Sequence, residues 1–156
     1  MSLGGLRWLL VVWLCCLGGG AWADVGQPEQ CVPRVLNVMA ARADVGDLVD
    51  ASARPAAGWV PVTLPDTWTL RWPGRGGEVW YRIDWDRGCG TGAAEAAALS
   101  PVALGIDVMS MAGEVYSNAD LLWRDASLVE PLSHSWNIPR WWLLPASSLH
   151  EGVNTV

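Results

Sequence analysis

Residues 58–86 read GWVPVTLPDTWTLRWPGRGGEVWYRIDWD, and this stretch decides the fold. Its second half alternates cleanly. Val79, Tyr81, Ile83 and Trp85 share one face, and Glu78, Trp80, Arg82, Asp84 and Asp86 share the other. Period-two alternation rich in β-branched and aromatic residues predicts a half-buried antiparallel strand. The acids of the second face predict a solvated outer surface that discourages edge pairing. Ahead of it, Trp59 to Leu64 forms a shorter extended run interrupted by Pro61. A residue that cannot donate to the ladder restricts that run to a sheet edge. Between the two lie Leu64-Pro65-Asp66-Thr67-Trp68 and Trp72-Pro73-Gly74-Arg75-Gly76-Gly77. Turn chemistry that carries aromatics in this way is a common place for recognition on a β scaffold.

Upstream, residues 1–23 read as a secretory signal peptide. Arg7 is the positive start, Trp8 to Leu17 the apolar core, and Ala21-Trp22-Ala23 the small-x-small cleavage site. The core is shorter than the roughly 20 residues of a membrane span, and Gly18-Gly19-Gly20 breaks it. The mature chain is then expected on the extracytoplasmic side. Its charge becomes −7, nine arginines against sixteen acids, because Arg7 leaves a chain of ten basic residues and sixteen acids that has no lysine. Such a balance offers no basic groove for a phosphate backbone, so no nucleic-acid partner is expected.

Two cysteines follow the signal, Cys31 and Cys89, and in an oxidising compartment two cysteines on separate loops of a small domain are expected to pair. A structural zinc would need further ligands at finger-like spacing, and only His134 and His150 are on hand, so no metal is expected. Residues 24–58 carry weak pattern and read as a lead-in and connector, with a first strand near Cys31 to Met39 and an acidic turn or short helical start over Asp44–Asp50.

Beyond Asp86, Gly88-Cys89-Gly90-Thr91-Gly92-Ala93 fits a dinucleotide fingerprint, with Asp107 near the place of a ribose-binding acid. The reading fails on length. About two helical turns separate it from Pro101, too few for a parallel crossover. No cofactor is expected. Val102, Leu104, Ile106 and Val108 alternate with Ala103, Gly105, Asp107 and Met109 and predict a second strand whose small-residue face meets another layer. Met111 to Trp123 predicts a hairpin with its tip at Asn118-Ala119-Asp120. Arg124 to Asn137 is a long connection, Arg140 to Pro145 a further strand, and the strand near Val153 to Val156 has barely begun where the sequence stops, which leads us to expect an incomplete last strand. Short strands between Pro/Gly-rich turns predict an all-β sandwich.

The edge run, the Leu-Pro-x-x-Trp turn, the Gly-rich loop and the Trp-Tyr-Arg strand resemble the galactose-binding-like jelly roll. So do the Val-Tyr-Ser-Asn hairpin and the closing Leu, Gly, Asn pattern of Leu149, Gly152 and Asn154. The resemblance covers 59–156. In that family the hairpin carries Asn-Gly, and Ala119 in place of the glycine leads us to expect a wider loop. Similar modules form the extracytoplasmic amino-terminal region of bacterial membrane sensor histidine kinases and the non-catalytic sugar-binding domain of family 2 glycoside hydrolases. The resemblance therefore implies a ligand-sensing domain of a two-component sensor, with its own membrane and transmitter domains as partners. The alternative it implies is an accessory domain of a secreted glycoside hydrolase. The catalytic acids of those hydrolases lie in a separate barrel.

No nucleophile elbow, zinc-protease helix or phosphate loop occurs, and no catalytic residue is assigned. Ser110, His134 and Asp107 supply the residue types of a triad, but geometry alone defines one. Of the twelve tryptophans, Trp85 on the apolar strand face is the safest core residue. Trp68, Trp72 and Trp136 sit in loops beside Pro, Gly, Arg or Asn. They either stack on the apolar face of a sugar or similar small molecule, with Arg75 and Asn137 as polar partners, or plug the ends of the sandwich.

Overall fold

A computed structural model of the chain describes residues 31–43, 54–89, 101–109 and 111–156. The signal segment, the acidic turn over 44–50, most of the 88–93 loop and Ser110 lie outside the described residues. The described fold is all-β and sandwich-like, and every strand pairing is antiparallel.

Strand β1 (Arg34–Ala43) lies in the lead-in, and the alternating segment forms β3 (Glu78–Asp86). The two pair along their whole lengths, from Arg34 opposite Asp86 to Ala43 opposite Glu78, with a register shift between Val35 and Asn37. Between them in sequence lies β2 (Val60–Pro61), which pairs with β1 at Met39 and Ala40. It sits on the sheet edge, as a proline-bearing strand must. The opposite edge is β8 (Val153–Thr155), so the sheet order is β2-β1-β3-β8. Two further pairs complete the fold: β4 (Ala103–Ile106) with β7 (Arg140–Leu143), and β5 (Glu114–Ser117) with β6 (Asp120–Arg124).

The apolar face of β3 enters the core. Trp85 is 6 % exposed and packs with Val102 and Leu144, flanked by Leu104, Leu122, Leu149 and Val156. The β4–β7 pairing carries on into this cluster, since Leu144 N donates to Val102 O at 2.8 Å. Leu122 reaches the cluster from a bulge in β6, where Val115 opposes Trp123 and the next residue, Tyr116, opposes Leu121.

Contrary to the expectation of a solvated outer surface, the second face of β3 is half-buried. Trp80 stacks on Tyr116 of the β5–β6 hairpin with ring centroids 5.9 Å apart. Asp84 Oδ1 accepts the Thr155 hydroxyl at 2.9 Å, and Asp84 also pairs with Arg82. Asp84 on this face therefore holds the neighbouring strand β8. The expected wide hairpin loop is likewise replaced by a two-residue turn. Ser117 pairs with Asp120, and only Asn118 takes a positive φ, of 55°. Asparagine tolerates the left-handed region, so the turn closes without a glycine at 119. Nor does a second layer cover the small-residue face of β4 among the described residues. Ala103 and Gly105 are exposed, and Trp141 and Leu143, opposite them on β7, are 69 % and 59 % exposed.

Cys31 and Cys89 are bonded, with Cα atoms 4.3 Å apart and a sequence separation of 58. They join the start of β1 to the end of β3. On the chain-entropy account such a loop stabilises the fold by about 4 kcal/mol. Beside the bond, Gly88 has φ +63°, and a Cβ there would stand 2.0 Å from Val32 O. That glycine of the apparent dinucleotide fingerprint is thus required by chain packing. The other side of the comparison fails too, because β4 pairs with β7 and not in parallel with β3.

A half-buried and a fully buried asparagine, Asn118 and Asn154, tie the hairpin to the terminal strand. Asn154 is fully buried. Its Oδ1 accepts from His150 N at 2.7 Å and from Asn118 Nδ2 at 3.0 Å, and its Nδ2 donates to His150 O and Gly152 O, each at 3.1 Å. Asn118 in turn accepts Thr155 N on its Oδ1 at 2.9 Å and donates its own N to Thr155 O at 2.7 Å. A buried amide with all its groups satisfied, as in Asn154, fixes one arrangement of the elements it joins.

Candidate functional site

The described residues with the chemistry of a recognition site converge where the chain leaves β2 and returns to β3. Thr67 precedes a single helical turn, α1 (Trp68–Arg71), with Leu70 N bonded to Thr67 O and Trp72 N to Trp68 O, each at 2.9 Å. Pro73 disfavours helical angles at the residue before it, and Trp72 leaves the helix at φ −125°, ψ 72°. Gly74, at φ +67°, lets the chain turn, and Arg75 N closes back on Trp72 O at 3.3 Å. One helical turn sets Trp68, Arg71 and Trp72 on the same side, at spacings of three and four.

The turn is anchored by Asp66, whose side chain is 8 % exposed. Its Oδ1 accepts Arg71 Nη2 at 2.6 Å, and its Oδ2 accepts the Tyr81 hydroxyl at 2.8 Å. Tyr81 lies on the same face of β3 as Trp85, toward the other end of the strand. Burial, then the hydrogen bond to Asp66 and its negative charge, push the Tyr81 phenol well above its ordinary range, with Arg71 opposing. The phenol therefore stays protonated and keeps donating to Asp66. Arg42 opposes Val79 in the β1–β3 ladder, which puts it on this same face. The Arg42 and Arg71 guanidinium carbons each lie 5.9 Å from the Trp72 ring centroid, at the outer reach of a cation–π contact.

No protein-family model, no curated protein and no solved structure matches the chain.

Trp68, Trp72 and Arg75 thus belong to one braced segment. Trp68 and Trp72 are half-buried there, and Arg75 is exposed. Trp136 and Asn137 occupy another turn, closed by Ile138 N to Ser135 O at 3.3 Å, and Trp136 is 54 % exposed. None of the hydrogen bonds, ion pairs or ring contacts of the described residues joins that turn to the Trp72 segment. A buried brace seats it instead. Asp125 Oδ1 lies 3.7 Å from Arg140 Nη2 and accepts the Ser135 hydroxyl at 3.2 Å, and Asp125 Oδ2 accepts Gly113 N at 3.0 Å. Arg140 Nη2 also donates to Ser135 O at 3.1 Å, and its guanidinium lies 4.2 Å from the Trp123 ring centroid, which in turn is 5.8 Å from that of Trp142. These groups are engaged with one another, and their role is to hold the loop.

Sequence reading overlooked Arg42, Asp66, Arg71 and Tyr81. The spacing of Asp66 and Arg71 across a helical turn was a local signal for that pair. Arg42 had none, since only the register of β1 on β3 brings it to Trp72. Among the described residues no group of three or more His, Cys, Asp or Glu gathers as a metal site, and no helix is long and apolar enough to cross a membrane.

Proposed function

We propose that this chain is an exported ligand-sensing module on a galactose-binding-like jelly roll, the extracytoplasmic part of a membrane sensor of the histidine-kinase type. The observation that carries the sensing half is the Trp72 segment. An indole outside the core lies at the outer reach of cation–π contact with two guanidinium groups, on a support of buried Asp66 and half-buried Tyr81. An aromatic face with fixed polar partners is how sugar-binding sites combine stacking with orientation. A rigid stapled scaffold that presents such a loop lowers the cost of ordering it on binding. The bonded Cys31–Cys89 pair fits an oxidising compartment and supports the export half. The signalling half rests on the resemblance to sensor amino-terminal domains.

The test is tryptophan fluorescence of the purified chain against a panel of neutral and acidic oligosaccharides. A saturable change that Trp72→Ala abolishes and Trp136→Ala leaves in place is expected, with a dissociation constant on the order of micromolar to millimolar for a shallow site. A response abolished by Trp136→Ala but not Trp72→Ala would move the site to the second turn. A flat response across the panel would overturn the sensing reading. For the signalling half, the encoding gene read past the codon for Val156 should continue into several apolar spans and a transmitter. Continuation into a hydrolase barrel would overturn it.

A further inference from the structure

We infer that the Trp72 site takes an acidic sugar, a uronate whose carboxylate lies between Arg42 and Arg71, in preference to a neutral one. This rests on the sugar-sensing reading of the site.

Three arginines stand around Trp72. Arg42 and Arg71 lie over its ring, and Arg75 follows in the turn whose amide closes on Trp72 O. Among the described residues, the side-chain carboxylate bonded within this group is Asp66, which is buried and already accepts from Arg71 and Tyr81. Exposed Arg42 meets the Trp72 ring and no carboxylate among the described residues. Among the described residues the cluster thus holds more arginine than bonded carboxylate, in a chain whose net charge is −6.

The hydrogen-bonding inventory points the same way. A guanidinium has five donors and no acceptor, and Asp66 engages only one nitrogen of Arg71. The Tyr81 hydroxyl is committed as a donor to Asp66. The loop carbonyls of Thr67, Trp68 and Trp72 each already accept a backbone amide. A neutral sugar brings hydroxyls that must both donate and accept, and it would find donors in excess with few acceptors left. A carboxylate accepts only, and its two oxygens match the fork of an arginine. Trp72 is half-buried, which leaves ring surface for the C–H face of the sugar that carries the carboxylate. The indole therefore has two roles, a platform for the ring and a strut that keeps two like charges near each other. Guanidinium groups so held lose less freedom when the anion arrives.

Isothermal titration of the full chain with trigalacturonate, with the neutral galactose trisaccharide and with sodium sulfate, each at low and high salt, tests this. The uronate is expected to bind, the neutral trisaccharide at least about tenfold more weakly, and sulfate alone more weakly still, because charge-assisted bonds and ring stacking both contribute. Uronate affinity should fall with added salt, and Arg42→Gln should weaken it by about tenfold to a hundredfold with the melting temperature unchanged. Arg42 is exposed, so its substitution leaves the core intact. Equal binding of the two trisaccharides, indifferent to Arg42→Gln, would overturn the charge inference and leave sugar sensing standing. Sulfate that binds as tightly as the uronate would overturn the sugar component. No heat with any of the three would overturn this inference, and a flat response across the wider oligosaccharide panel would then remove the sensing reading as well.

Discussion

Replacing Asn154 should do more damage than its small side chain suggests. The residue is fully buried, and its amide makes four hydrogen bonds, two as acceptor and two as donor. Asn154→Ala removes all four and leaves His150 N, His150 O, Gly152 O and the Asn118 amide to find other partners. At about 1 kcal/mol net for each bond, the loss is about 3–5 kcal/mol, allowing for partial repair by water. For one domain of this size that lowers the melting temperature by roughly 10–20 °C. Asn154→Asp separates donor from acceptor. The carboxylate keeps the two bonds that Oδ1 accepts but turns a second oxygen on the two carbonyls. A buried charge facing carbonyls disfavours ionisation, so the folded-state pKa of the introduced carboxyl lies above its unfolded value of about 4. A carboxyl raised in this way contributes stability that is fully present below about pH 4 and lost as pH rises through the folded value. The gap between this variant and the wild type should therefore widen from pH 4 to pH 7, while the gap for Asn154→Ala stays flat. Urea unfolding at the two pH values reads both. A loss below about 1 kcal/mol for Asn154→Ala, or a gap for Asn154→Asp that does not change with pH, would refute the clasp.

Trp85→Ala should cost about 3–5 kcal/mol, whereas Trp136→Ala should stay within about 1, because the first is 6 % exposed and the second 54 %; equal shifts in urea midpoint would contradict the core assignment. Gly88→Ala combines a left-handed φ with a Cβ 2.0 Å from Val32 O, so it should lower the melting temperature even with the disulfide intact, and an unchanged melt would count against the close approach. Both tyrosines, Tyr81 and Tyr116, are raised, first by burial and then by hydrogen bonds to Asp66 and Glu114. Their contribution to stability is present below about pH 10 and lost as pH rises through the folded values. Just above pH 10 the native chain should thus show less tyrosinate absorbance than the urea-unfolded chain, and coincident titrations would show that neither phenol is held.

Some of this was legible in the residues alone. The alternation from Glu78 to Asp86 marks β3 because strand periodicity is a property of the backbone itself, read two residues at a time. Pro61 puts β2 on an edge because a missing donor excludes it from the centre, whatever the fold. Trp85 was recognisable as core from its face, and the pairing of Cys31 with Cys89 from compartment and count. The turn chemistry from Leu64 to Gly77 was also legible, and Trp68, Trp72 and Arg75 do lie on that one segment. The partners of that turn were not legible. Arg42 reaches Trp72 only through the register of β1 on β3, and Tyr81 reaches Asp66 across fifteen residues. Asn118 meets Asn154 across thirty-six, and the outer face of β3 proved half-buried because the hairpin stacks on Trp80 and β8 bonds to Asp84. Local patterns report which way a side chain faces. What it faces depends on strand register and on the packing of distant segments, and only the tertiary structure decides those.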